Sequence, residues 1–159
     1  HIGSCGGLTP ELKSCDLIVP TWSYGNESTT RAYDREAFDC KHFSHNELSS
    51  KIVDIVNARG YVFHQGSIMT NQAMMGETWE DVKTWSDEGF YGVEMETATM
   101  FSVSKNFNVP AAALLYVSDN LIQGQTTGDE SHVAEKEKRE EVKDFVYEVG
   151  VKVMLGLNT

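Results

Sequence analysis

The run Ala111-Ala112-Ala113-Leu114-Leu115-Tyr116-Val117 carries no charged or amide side chain. A strand with one wetted face alternates apolar and polar residues, so an unbroken apolar run predicts a strand covered on both faces. Such a strand belongs in a sheet with helices packed on it. The longest apolar stretch, Val109–Val117, is far shorter than the ~20 residues a bilayer helix needs.

The rest of the chain supplies those helices. Asn46 is predicted to cap a helix to about Ala58, with Leu48, Ile52, Ile55 and Val56 on one face and Arg59-Gly60 as its stop. Thr78 caps a second helix, Trp79 to Glu88, ended by Gly89. A third runs from Met95 to about Phe107, and Val133–Leu155 forms a long closing helix. Its charged run, Glu135 to Glu141, reads as a solvated face with pairs such as Glu135–Arg139. Further strands are predicted at Asp16–Pro20 and Tyr61–Thr70, and His1-Ile2-Gly3-Ser4 reads as the end of another. Trp22 to Asp39 is a long irregular excursion, whose Trp22, Tyr24, Arg31 and Tyr33 suit a flap or an interface. Strands alternating with helices predict an α/β fold, the sheet covered on both sides.

A length of 159 residues suits one domain, residues 1–159. Opening on His1 inside a strand predicts a chain that lacks an upstream segment. Thirteen basic against 24 acidic residues, a net charge of −11, make nucleic acid and anionic membranes poor partners. Cys5, Cys15 and Cys40 are an odd, scattered set, which predicts a reducing, cytoplasmic setting. Neither they nor His42, His45 and His64 show metal spacing, so no metal is expected.

Ligands of open α/β sheets bind beyond the carboxyl ends of strands, and three places fit. Gly3-Ser4-Cys5-Gly6-Gly7 follows the first strand; its backbone amides and Ser4 hydroxyl suit an oxyanion cradle, or the segment is a plain turn. Gly92-Val93-Glu94-Met95-Glu96 stands at a helix start. One of its carboxylates either caps the helix or accepts two hydrogen bonds from a vicinal diol such as ribose O2′ and O3′. Val117-Ser118-Asp119-Asn120 ends the most buried strand. Asp119 there is either a desolvated proton donor or part of a turn. Together they suit cleavage of a ribosyl C–N bond, which passes through an oxocarbenium-like state.

The stretch Gly92-Val93-Glu94-Met95-Glu96-Thr97-Ala98-Thr99, paired with Val117-Ser118-Asp119-Asn120, resembles the nucleoside phosphorylase and nucleosidase superfamily. The opening Ile2-Gly3-Ser4-Cys5-Gly6-Gly7-Leu8 is similar to that family's central glycine loop. Asn106-Phe107-Asn108-Val109-Pro110 adds to a likeness that runs over nearly the whole chain. The resemblance implies a three-layer α/β fold with a mixed central sheet flanked by helices, truncated at its N-terminus.

It also implies roles. Ser4 would contact phosphate or ribose, and Cys5 and Gly6 would line the base pocket. Val93 and Glu94 would border the site, Met95 would pack on the sugar, and Glu96 would hold the 2′- and 3′-hydroxyls. Asp119 would serve N7 of a purine, Met74 would lie against the base, and Lys138 or Arg139 would support Asp119. His1 stands where purine phosphorylases of this type often carry an arginine. The family's N-terminal segment, which supplies a phosphate loop and arginines, is missing.

The implied reaction is phosphate-dependent cleavage of a purine nucleoside to base and ribose 1-phosphate, with phosphate as co-substrate and no cofactor. Asp119 and the lack of arginine between Gln72 and Trp79 favour a purine, whereas Glu96-Thr97-Ala98-Thr99 looks closer to the uridine branch. The alternatives are a uridine phosphorylase, a methylthioadenosine-type nucleosidase using water, and a non-catalytic nucleoside-binding module. The resemblance further implies a homo-oligomer, a dimer or a trimer of dimers.

Overall fold

The computed structural model describes residues 1–126 and 129–156. Six strands form one mixed sheet: β1 (Ile2–Gly7), β2 (Leu17–Tyr24), β3 (Lys41–Phe43), β4 (Phe63–Thr70), β5 (Gly92–Glu94) and β6 (Leu114–Asn120). The helices are α1 (Ser28–Tyr33), α2 (Asn46–Ala58), α3 (Trp79–Asp87), α4 (Thr97–Asn106), α5 (Glu130–Ala134) and α6 (Lys136–Leu155). No helix among the described residues is long and apolar enough to cross a membrane.

The strand order is β3-β2-β4-β5-β1-β6, and β6 also pairs with β2. The sheet therefore curls into a ring of five strands, β2-β4-β5-β1-β6, with β3 continuing beyond it. β2 changes partner along its length: Leu17 and Ile18 face β6, and Trp22 to Tyr24 face β3.

This curl explains the unbroken apolar run. Leu114 and Tyr116 of β6, with Leu17 and Val19 of β2, pack outward against Ile52, Ile55 and Val56 of α2 and Val142, Phe145, Val146 and Val149 of α6. The alternate residues, Leu115, Val117 and Ile18, pack inside the ring with Cys5 and Ile68. Both faces of β6 are dry, as predicted, but they belong to two different cores. A third cluster, Leu8, Met69, Val82, Phe90 and Val93, seats α3 against β4 and β5.

Several local expectations need correction. The glycine segment is not a loop after the first strand; Gly3 to Gly7 are the strand itself, with a bulge between Cys5 and Gly6. Its backbone is spent on ladders to β5 and β6, and its glycines answer crowding instead. A Cβ on Gly6 would stand 2.8 Å from Leu121 Cδ1, and one on Gly92 would stand 2.9 Å from the Gly6 carbonyl. The excursion from Trp22 is shorter than read, since β2 continues to Tyr24 and α1 follows, capped by Glu27. α4 starts at Thr97, two residues late, because Gly92–Glu94 is a strand. The closing helix divides at Glu135, and Arg139 is turned into the fold, so the Glu135–Arg139 surface pair does not form.

Other readings hold. α2 covers Asn46–Ala58 and is followed by Gly60 at φ 73°, although Asn46 is its first residue and not its cap: His45 holds the cap position, with no side-chain cap hydrogen bond. Thr78 and Asp81 make a reciprocal cap for α3, and Gly89 follows it at φ 85°.

Candidate functional site

The ladder fixes what stands beside the end of β6. Asp119 is opposite Gly6 of β1, and Gly6 is opposite Val93 of β5. With neighbouring strands ~4.8 Å apart, Asp119 and Val93 are roughly 10 Å apart across β1. Over this span opens a cavity of about 320 Å³, within the size range of small-molecule sites. Ser4, Cys5 and Gly6 line it from β1, and Val93 and Glu94 from β5. Met95, Glu96, Met74 and Asp119 complete the set of predicted residues that meet there.

Asp119 is held from behind. The neighbouring Asn120 is fully buried. Its Nδ2 donates to the Thr9 and Leu12 carbonyls at 2.9 and 2.8 Å, and its Oδ1 accepts from the Gln123 amide at 3.1 Å. Ser118 Oγ lies 3.2 Å from the Cys5 carbonyl and also meets Asp119 Oδ1. The Ser-Asp-Asn cluster is thus a brace, and Asp119, itself buried, lines the cavity.

The two glutamates divide the roles that their sequence left open. Glu94 is buried; its Oε2 accepts from the amides of Glu96 and Thr97 at 2.9 and 2.7 Å, and its Oε1 from Thr70 Oγ1 at 2.5 Å. It caps α4. Glu96 is exposed and lines the cavity, and its carboxylate has no hydrogen-bond or ion-pair partner among the described residues. Burial works to raise Glu94. His1, Thr70, Thr97 and the Glu96 amide outweigh it and hold the carboxyl below its ordinary value. The His1 Nε2 stands 3.7 Å from Glu94 Oε2, beyond ordinary hydrogen-bond length.

A depressed folded-state value stabilises the fold fully above the unfolded-state value of about 4.3. That stability is lost as pH falls through the folded-state value. Glu94→Gln is therefore expected to cost about 2–3 kcal/mol near neutrality. The gap from wild type should narrow below about pH 4. Melting curves across pH check this, and a gap constant with pH would assign the loss to packing.

Two further features of the cavity were not legible in the sequence. Glu77 also lines it, with Oε1 accepting from Asn71 Nδ2 at 3.1 Å. Burial pushes Glu77 up, and the charges of Asp81 and Asp119 add to this against the Asn71 bond. No spacing marks this glutamate; its neighbours come from the turn after β4. The second feature is charge: Glu77, Glu94, Glu96 and Asp119 face the cavity, and no Lys or Arg is among its described lining residues. Cys5 is no nucleophile here, since burial and then the charges of Glu94 and Asp119 push its thiol far up. His1, Glu94 and Glu96 bring possible ligand atoms within 4.8 Å of one another, but Glu94 has already committed both oxygens to the helix cap and Thr70.

A family model for the phosphorylase superfamily matches residues 1–153. The chain belongs to the phosphorylase superfamily. A purine nucleoside phosphorylase DeoD-type from Clostridium beijerinckii is 33% identical over 133 residues, 82% of this chain and 54% of the relative. One from Alkaliphilus metalliredigens is 31% identical over 131 residues, 82% of this chain and 56% of the relative. A guanosine phosphorylase from Halorubrum lacusprofundi is 27% identical over 157 residues, 99% of this chain and 63% of the relative. The chain thus spans just over half the length of the first two of these curated relatives and under two thirds of the third.

His1, Lys138 and Arg139, expected from the resemblance as possible supporting residues, lie outside the main cavity. His1 borders an apolar groove of about 430 Å³ beside Ile2 and α6, with its ring reaching toward Glu94. Lys138 shares with Asp119 a separate polar cavity, and its Nζ donates to the Ser14 carbonyl at 3.4 Å. Arg139 is buried on the inner face of α6, with Nη1 lacking a partner among the described residues. It lines neither cavity.

Proposed function

We propose that the cavity binds a purine nucleoside and that the whole protein cleaves its N-glycosidic bond with phosphate. The observation that carries this reading is that Glu96 and Asp119, on different walls, face one cavity with Ser4 to Gly6 between them. Glu96 accepts the ribose 2′- and 3′-hydroxyls, because a carboxylate without protein partners matches a diol. Met95 packs on the sugar. The C1′–N9 electron pair passes to the purine while a phosphate oxygen bonds to C1′, giving ribose 1-phosphate. Asp119 meets the charge growing at N7 with a proton. Ser118 supports that role: its hydroxyl has one proton and two acceptors, Cys5 O and Asp119 Oδ1. Both contacts are hydrogen bonds at once when Asp119 holds the proton.

Glu77, on the same cavity wall as Met74, offers an acceptor for N–H donors on the base edge. That favours 6-oxopurines, whose N1–H and, in guanine, 2-amino group are donors. The relatives named purine nucleoside and guanosine phosphorylases agree with a purine. The phosphate needs cations, none of which is among the described lining residues, and a homo-oligomer supplies them in this reading.

The four carboxylates favour one second reading, a methylthioadenosine-type nucleosidase in which a carboxylate activates water. Base release from inosine, guanosine, adenosine, uridine and methylthioadenosine, each with and without phosphate, separates the two. We expect phosphate-dependent release from inosine and guanosine. Release independent of phosphate would establish hydrolysis, and nucleoside binding without release would leave a binding module.

A further inference from the structure

Asp119 and Ser118 line two cavities: the one described above and a second, polar one of about 200 Å³, the rear cavity, large enough for several waters. Its other walls include Lys13, His132, Glu135 and Lys138. The Nδ1 of His132 is buried and has no hydrogen-bond partner among the described residues. Histidine is the side chain that ordinarily gains and loses a proton near neutral pH.

We propose that this rear cavity returns protons to Asp119, with His132 as the positioning residue that relays them through water. The inference rests on the cleavage reading above. In each turnover Asp119 gives its proton to N7 as the C1′–N9 pair leaves with the purine. Hydrogenphosphate forms the C1′–O bond and releases its own proton to solvent, so ribose 1-phosphate departs as the dianion. Asp119 is then a carboxylate, walled on the nucleoside side by bound product. The His132 imidazolium passes it a proton through the rear cavity and recovers one from solvent. One proton has moved from phosphate to purine, and no charge is left over. The charged groups facing His132 in this cavity are Lys13, Lys138, Glu135 and Asp119 itself; Asp129 and Glu130 precede it in the chain.

The test is steady-state purine release by the whole protein carrying His132→Gln or His132→Ala, from about pH 6 to about pH 9. The relay predicts kcat about tenfold lower near neutral pH, the deficit shrinking toward acid, where solvent protons suffice, and toward alkali, where an imidazole is neutral, with KM for the nucleoside within about twofold. Free imidazole restores His132→Ala. Circular dichroism and melting temperature report whether the variants fold. Folded variants with a wild-type pH profile, or a pH-independent loss that imidazole does not repair, overturn the relay alone. A wild-type protein that releases no base overturns the cleavage reading and the relay with it.

Discussion

Asp119→Asn is expected to lower purine release by about 10²–10⁴-fold, the range that one well-placed proton donor contributes. Asparagine keeps the shape of the side chain, accepts from Ser118 and leaves the Asn120 brace untouched, so melting temperature should hardly move. It has no proton to give. The substrate 7-methylguanosine makes the test specific, because its methylated N7 leaves as a neutral base without protonation. The loss on that substrate should be far smaller than on guanosine. Near-normal guanosine turnover by Asp119→Asn, or equal losses on both substrates, would remove Asp119 from the role of acid.

Glu96→Ala is expected to reduce kcat/KM for ribonucleosides by roughly 10²–10⁴-fold. Each hydrogen bond from a hydroxyl to a carboxylate contributes about 1.5–3 kcal/mol, and two are removed. A 2′-deoxynucleoside forms one of the two, so the same variant should lose less on it. Stability should be nearly unchanged, in contrast to Glu94→Gln. The two residues are neighbours but one for Met95, yet the Glu94 carboxylate is tied to Thr70 and to the amides of Glu96 and Thr97, and the Glu96 carboxylate has no partner among the described residues. A melting temperature that falls with Glu96→Ala, together with equal losses on both sugars, would mean that the roles are reversed.

What was legible in the sequence follows the strength of local signals. β6 could be read because both of its faces are dry, and α2 and α3 because Gly60, Thr78 and Gly89 punctuate them. β5 could not, since three residues of strand carry no alternation, and Gly92-Val93-Glu94 looks like the approach to a helix. β1 was mistaken for a loop because glycine has low strand propensity; its reason for being glycine, the crowding by Leu121, exists only once the sheet has curled. The site residues themselves were legible as motifs. Their division of labour was not: which glutamate caps α4 depends on Thr70, 24 residues earlier. Glu77 and His132 stand in no pattern and reach their cavities only through tertiary structure.

The ring of strands has a consequence in time. Ser118 reaches the Cys5 carbonyl across 113 residues of chain, so the opening strand waits for nearly everything else before it has both neighbours. Joining ends that far apart costs about 4 kcal/mol of chain entropy, which places the step late and makes folding slow, on the order of milliseconds to seconds. On the ribosome, β1 emerges before β6 and waits through the synthesis between them, so the cavity at the end of β6 is completed late in the formation of the sheet.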